Sequence, residues 1–484
     1  MSELSCAGAP PSPGAPDDVA FLAALVAAVG AAHVLTDAAE MAAFLRDWRG
    51  RFHGQALAVV RPGSTPEVAA VLRLCHGHRV AVVPQGGNTG LSGGATPAGA
   101  RRQIVLQLGR LNRVRSLDLA NGTVTVESGC VLQQVQQLAE AHDRLFPLSL
   151  AAEGSCTVGG NLATNAGGTA VLRYGNAREL CLGVEAVMAD GTVFQGLRAL
   201  RKDNTGYSLR DLLIGSEGTL GVLTAAVLKL YPRPRARATA LVALQGVADA
   251  VALLGQAQAA LGPLLTGFEL MSGACLQAVA RHRPALAQPW AVEPPLAVLV
   301  EQSAFDDQAA ADDRLQALLA SALDSGLIQE AVLAQSQAQA QRLWAMREGI
   351  SEALQHEGVQ AKHDIALPIS ALADFLAEAQ AALDGLEAPL RLMLFGHVGD
   401  GNLHFNVVWP SRGAQADAAL HEAVNTRVHD RVAAWGGSIS AEHGLGQLRR
   451  DENRRLKDPA ELGLQRALKQ ALDPLGLLNP GKVL

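Results

Sequence analysis

Three glycine-rich segments in the first half of the chain set the tightest limit on how it can fold. They are Pro84-Gln85-Gly86-Gly87-Asn88-Thr89-Gly90-Leu91-Ser92-Gly93-Gly94, the stretch from Gly154 to Gly168, and Gly215-Ser216-Glu217-Gly218-Thr219-Leu220-Gly221-Val222. Glycine lets the backbone take positive φ and come close to a ligand. Successive free N–H groups then form a concave anion site suited to a diphosphate, and Ser, Thr and Asn add side-chain donors. One such loop reads equally well as a turn-rich connection; three in one domain point to a dinucleotide. No Gly-Lys-Ser/Thr follows the glycines, so this is not a P-loop. The spacing is not G-x-G-x-x-G opening a helix, which argues against a Rossmann site.

With 484 residues the chain is long enough for two or three domains. Residues 1–17, rich in Ala, Pro, Ser and Gly and free of Lys and Arg, read as a disordered tail rather than a signal peptide. Residues 18–235 read as the cofactor domain. Within it, Ser64-Thr65-Pro66-Glu67 has the capping-box form ahead of a helix to about His78. Val80 to Val83 and Ile104 to Leu108 read as strands. Val114 to Glu127 reads as a hairpin turning at Asn121-Gly122 in a type I′ turn. The character changes after Pro232 and Pro234. Residues 236–440 alternate strands with amphipathic helices, Asp307 to Leu323 and Gln335 to His356 among them, as a second α+β core. Residues 441–484 read as a closing segment that carries the Glu-His pair and is helical from 445 onward.

Net charge is −6 and no basic stripe is present, which argues against nucleic acid as a partner. The six cysteines form no Cys-x-x-Cys pair, so neither a disulfide framework nor a cysteine zinc site is expected, and a reducing, cytoplasmic setting fits. No apolar run is long enough to span a bilayer.

A second group of residues carries chemistry. Gly396-His397-Val398-Gly399-Asp400-Gly401-Asn402-Leu403-His404 places two histidines around a turn, and Ser440-Ala441-Glu442-His443-Gly444 adds a Glu-His pair. Two imidazoles and one carboxylate can hold Zn²⁺ with a position left open, or non-haem Fe²⁺. Asp400 reads as a turn residue. Arg347 and Ser351 stand at i and i+4 of one helix and so should share a face. An arginine fork suits a carboxylate, and Lys362 offers a second cation.

The strings PQGGNTGLSGG, GSCTVGGNLATNAGG, LRKDNTGY, IGSEGTLGV, LWAMREGISEAL, KHDIALPI, GHVGDGNLHFNV and SAEHGLG together resemble the D-2-hydroxy-acid dehydrogenase branch of the vanillyl-alcohol-oxidase superfamily, from about residue 35 to the end. The resemblance is nearest to members acting on D-2-hydroxyglutarate. It implies an α+β chain: a two-part FAD-binding domain, an α+β substrate or cap domain, and a C-terminal segment returning to the flavin.

The resemblance also implies roles. Pro84, Gln85, Gly86, Gly87, Asn88, Thr89, Gly90, Leu91 and Ser92 would wrap the FAD diphosphate. Gly154, Ser155, Thr157, Gly160, Asn161, Thr164, Asn165 and Gly167 would lie along flavin and diphosphate. Glu217, Gly218, Gly221 and Val222 would line the adenine and ribose side, and Asn479 would return to the flavin. Some superfamily members tether FAD through a histidine in the first loop; Asn88-Thr89 stands there, so non-covalent FAD is expected. The metal ligands would be His397, His404 and Glu442, with zinc the expected ion. His443, whose imidazole titrates near neutrality, is the candidate general base. Arg347, Ser351, Lys362 and Asn402 match substrate-contacting positions, which suits a small 2-hydroxy dicarboxylic acid. A lactate- or glycolate-type enzyme, or a non-catalytic flavin-binding subunit, would share the FAD loops. An electron-transfer flavoprotein or quinone-linked acceptor fits such a family, as does a homodimer.

Overall fold

In the computed structural model, which describes residues 16–99 and 102–484, the first glycine-rich loop leaves the end of a buried parallel strand. That strand, Ala81–Gln85, closes a four-stranded sheet in the order Val34–Leu35, Val59–Val60, Gln103–Gln107, Ala81–Gln85. The last three run parallel, which requires a crossover, and the helix Thr65–His78 supplies it. Ser64 Oγ accepts the Glu67 N–H at 3.4 Å, while Glu67 Oε2 accepts the Gly63 N–H at 2.8 Å. The capping box therefore reaches one residue further out than its usual form.

A five-stranded antiparallel sheet follows, ordered Val114–Asp118, Thr123–Glu127, Val222–Lys229, Cys181–Val187, Val193–Gly196. The first hairpin forms where the sequence places it, but its turn is not type I′. Four residues, 119–122, separate the strands, and only Gly122 takes positive φ, at 62°. Asp118 Oδ1 accepts the Asn121 N–H at 2.9 Å, closing the longer loop with a side chain.

From Ala236 the chain enters a seven-stranded antiparallel sheet. Its order is Glu330–Leu333, Ala236–Leu244, Leu296–Ala304, Leu265–Ser272, Arg391–Gly396, Asn402–Trp409, Val359–Ala366. Apolar residues fill both faces, as a sheet covered by helices on each side demands. Val242, Val298 and Val300 pack toward the helices Val247–Leu261 and Gln308–Asp324; Leu241, Ala297 and Leu299 pack toward Gly273–His282 and Gln337–Glu348.

Three expectations need correction. The helix anticipated over 335–356 is interrupted at Gly349, giving Gln337–Glu348 and Ile350–Ala353. Ile350, Ala353 and Leu354 turn into the core, so Ser351 is exposed while Arg347 is buried. Burial separates the two, although Gly349 keeps helical angles, φ −66° and ψ −15°, between them. The expected tail is also shorter: Pro16–Val29 is helical, and Arg102 reaches Asp17 at 3.1 Å and contacts Asp18. Residues 1–15 lie outside the described part. Finally, the closing segment is only partly helical, at Arg450–Leu456 and Pro459–Leu472. Its end returns to the first sheet, where the Asn479 N–H donates to the Val82 carbonyl at 2.8 Å. Among the described residues no helix is long and apolar enough to cross a membrane. The five described cysteines are buried and unbridged.

Candidate active site

The glycine-rich loops converge on one cleft of about 1000 Å³ that opens to solvent. Pro84, Gln85, Gly86, Gly87, Asn88, Thr89, Gly90 and Ser92 line it from the first loop. Thr157, Gly160, Asn161 and Thr164 line it from the second, and Glu217, Gly218, Gly221 and Val222 from the third. A Cβ on Gly86 would stand 2.3 Å from Thr157 Oγ1, and one on Gly87 would stand 2.1 Å from the Ser155 carbonyl. These glycines are needed because the first two loops touch each other.

The remaining expected cofactor residues sit elsewhere. Leu91 and Gly154 adjoin the cleft in sequence without lining it. Ser155 presents its carbonyl to Gly87. Asn165 takes φ 51° and accepts the Arg178 N–H at 2.9 Å. Gly167 backs onto Glu442. Asn479 ties two loops together, donating to the carbonyls of Gly94 at 3.0 Å and Glu217 at 2.7 Å. Glu217 lines the cleft, but its carboxylate turns to the closing segment and accepts the N–H groups of Leu445 and Gly446 at 2.7 and 2.9 Å. Ser128, which the sequence reading passed over, and Cys156 are among the further residues that line it. Ser128 Oγ and Asn479 Oδ1 are buried without a hydrogen-bond partner. A glycine-walled cleft whose lining includes the unpartnered Ser128 hydroxyl fits a dinucleotide such as FAD.

The histidine cluster grows from the edge of the large sheet. Strand alternation puts Asn402, His404 and Asn406 on one face and Leu403, Phe405 and Val407 in the core. His404 pairs in register with Asp364 on Val359–Ala366. His397 lies in the connection from Arg391–Gly396, which Gly401 closes with φ 82°; a Cβ there would meet the Leu367 carbonyl at 2.1 Å. Asp400 Oδ1 accepts the Asn402 N–H at 3.1 Å, the turn role its position suggests. Glu442 arrives from the closing segment, and His397 Nε2 lies 3.6 Å from its Oε1. One donor atom each from His397, His404 and Glu442 lie within 4.8 Å of one another.

Two buried carboxylates that the sequence reading missed organise this cluster. Glu269 Oε1 accepts from His397 Nδ1 at 2.6 Å, and its Oε2 accepts from Arg347 Nε at 2.9 Å. Asp364 Oδ2 accepts the main-chain N–H groups of both Glu442 and His443 at 2.9 Å and lies 3.3 Å from His443 Nδ1. Each carried a faint signal: Glu269 is a lone charge in the apolar strand Leu265–Ser272, and Asp364 alternates with Lys362.

Burial opposes charge throughout. It raises the Glu442 carboxyl to about 7 despite the nearby His397, and it lowers the His443 imidazole, with Asp364 opposing. Burial would also raise Glu269, but His397 and Arg347 outweigh it and hold the carboxyl at about 2. A site that gathers Glu269, Asp364 and Glu442 around two imidazole nitrogens suits a divalent cation, which would offset the buried negative charge.

The substrate anchors separate. Arg347 is buried, paired to Glu269 and stacked 4.9 Å over the Phe395 ring. Asn402 Nδ2 is spent on Asp364 Oδ1 and the Ile365 carbonyl, both at 2.9 Å, leaving Oδ1 buried and unpartnered. Burial, with Arg49 adding, lowers the Lys362 ammonium to about 8.

Residues 56–196 match the FAD binding domain family, and residues 233–483 match the C-terminal domain of FAD linked oxidases. Fold and cleft thus define a flavin-dependent oxidoreductase. The chain is 40% identical to the mitochondrial D-2-hydroxyglutarate dehydrogenase of Bos taurus over 97% of its own length and 83% of that protein's. It is 39% identical to the D-2-hydroxyglutarate dehydrogenase of Xanthomonas citri over 94% and 95%. The solved structure of p-cresol methylhydroxylase with substrate bound shares the fold, with a TM-score of 0.78 over 96% of both chains at 16% identity. The chain belongs to the D-2-hydroxyglutarate dehydrogenase family of FAD linked oxidases.

Proposed function

We propose that this chain oxidises D-2-hydroxyglutarate to 2-oxoglutarate, holding FAD non-covalently in the cleft and a zinc ion at His397, His404 and Glu442. The observation that carries this reading is the position of His443. It follows Glu442 directly and lines the flavin cleft, so one side chain joins the metal cluster to the redox site.

Bound FAD supplies the two-electron acceptor. A bound divalent ion supplies positive charge that lowers the pKa of a coordinated hydroxyl. His443, held neutral by its burial, takes the hydroxyl proton on Nε2. Lys362, whose ammonium forms no ion pair among the described residues, is the cation left to meet the distal carboxylate. Arg347, already answered by Glu269, adds the rest of its fork. Asn402 offers Oδ1. Asn88 supports a non-covalent cofactor, since its Nδ2 donates to the carbonyls of Ala43 and Arg46. Burial raises the Cys156 thiol, which keeps it a poor nucleophile.

Anaerobic mixing with D-2-hydroxyglutarate, D-malate and D-lactate, while following flavin absorbance, tests this. D-2-hydroxyglutarate should bleach the flavin fastest, and a chelator should abolish bleaching while FAD stays bound. Faster bleaching by D-lactate would transfer the assignment to a monocarboxylate enzyme.

A further inference from the structure

We infer that Asp364 is the positioning residue that fixes the orientation and tautomer of His443, rather than a ligand of the metal. The inference rests on the function proposed above and deepens it.

Asp364 is 1% exposed on the strand Val359–Ala366, across the sheet from His404. Its Oδ2 takes the His443 main-chain N–H at 2.9 Å and lies 3.3 Å from the same residue's Nδ1. One oxygen therefore holds both the backbone and the ring of His443. The Glu442 N–H, at 2.9 Å from that oxygen, pins the preceding residue as well. Oδ1 takes Asn402 Nδ2 at 2.9 Å.

An ionised carboxylate carries no donor, so an Nδ1–H facing Oδ2 at 3.3 Å meets opposite charge where a lone pair would meet like charge; the pair favours the proton on Nδ1 and leaves the Nε2 lone pair free. His443 lines the flavin cleft, and Nε2 is the only basic position left to it. Each hydrogen bond at the Asp364 carboxylate described above is one that it accepts, as an ionised carboxylate does. The other charged neighbours of the ring, Arg449, Arg49 and Lys362, are cations that cannot replace Asp364 as acceptor.

Asp364, His404 and His443 also bring donor atoms within 4.8 Å of one another, so a metal role is the competing reading. That group shares His404 with His397 and Glu442. Both Asp364 oxygens are already engaged: Oδ2 accepts the two N–H groups that hold the main chain at Glu442 and His443, and Oδ1 accepts from Asn402 Nδ2. The positioning role uses every contact as it stands.

The test uses the intact holoenzyme. In ¹⁵N-histidine NMR of the wild type, the His443 signal, assigned by its loss in His443→Gln, should report an Nδ1–H tautomer. Asp364→Asn should move it to Nε2–H. That variant should retain wild-type flavin and metal content, bind D-2-hydroxyglutarate within a few-fold of wild type, and reduce its flavin on the order of 10²–10⁴ times more slowly. An Nε2–H tautomer in the wild type would overturn the inference. So would wild-type flavin reduction in Asp364→Asn, or metal loss matching its loss of activity. If Asp364→Asn fails to fold, the wild-type tautomer decides alone. If no 2-hydroxy acid bleaches the wild-type flavin, the proposed function falls while the tautomer still judges the role of Asp364.

Discussion

Glu269 Oε1 accepts a hydrogen bond from His397 Nδ1 at 2.6 Å, with both residues buried. The contact leaves Nε2 facing Glu442. Because Oε2 of the same carboxylate holds Arg347, the histidine proposed as a metal ligand and the arginine proposed as a substrate contact answer to one negative charge.

Glu269→Gln should therefore weaken metal binding by about 10- to 100-fold, the usual cost of removing a partner behind a ligating histidine. Flavin content should not change. Competition with a graded chelator measures this, and undiminished metal retention would remove Glu269 from the site. Glu269→Ala leaves Arg347 buried without a counter-charge and should destabilise the fold by about 3–5 kcal/mol, read from denaturant unfolding.

The same pair sets a pH dependence in metal-free protein. Glu269 is depressed from 4.5 to about 2, so its stabilisation is present above about 4.5 and is lost as pH falls toward 2. Burial works to lower His397, but Glu269 and Glu442 prevail and raise it from 6.5 to about 9. Its stabilisation is complete below 6.5 and is lost as pH rises through about 9. Chelator-treated protein should melt highest between these limits, and Glu269→Gln should flatten the profile.

Gly167→Ala would put a Cβ 2.4 Å from Glu442 Oε1. Displacing that carboxylate should cut turnover on the order of 10²-fold, the scale of an ångström's misplacement, with FAD retained. Gly87→Ala drives the Ser155 main chain away at 2.1 Å and should weaken FAD itself. Flavin-to-protein absorbance ratios and turnover separate the two.

Lys362 loses its proton near pH 8 because it is buried beside Arg49. Its attraction for a carboxylate is present below that value and fades above it. KM for D-2-hydroxyglutarate should rise as pH passes about 8, and Lys362→Met should show a high KM without that rise. A pH-independent wild-type KM would exclude Lys362 as the anchor.

Much of the site was legible locally. The alternation that puts Asn402 and His404 on one face follows from strand geometry, and the turn at Asp400-Gly401 from its residues. Pairings across the chain were not. Arg347 and Ser351 read as one helical pair, but Arg347 is buried against Glu269 while Ser351 stays exposed. Glu217 and Asn479, expected as cofactor contacts, also tie the third loop to the closing segment through main-chain groups, a role no local pattern announces.

By itself the sequence determined the cofactor class, because glycine-rich loops express backbone freedom and donor chemistry over a few residues, and it brought His397, His404 and Glu442 forward as candidate ligands. Only the tertiary structure decided which carboxylate serves which histidine. Glu269 and Asp364 reach His397 and His443 across different strands of the large sheet. A buried charge is tolerable only beside its partner, and that partner is settled when the sheet assembles.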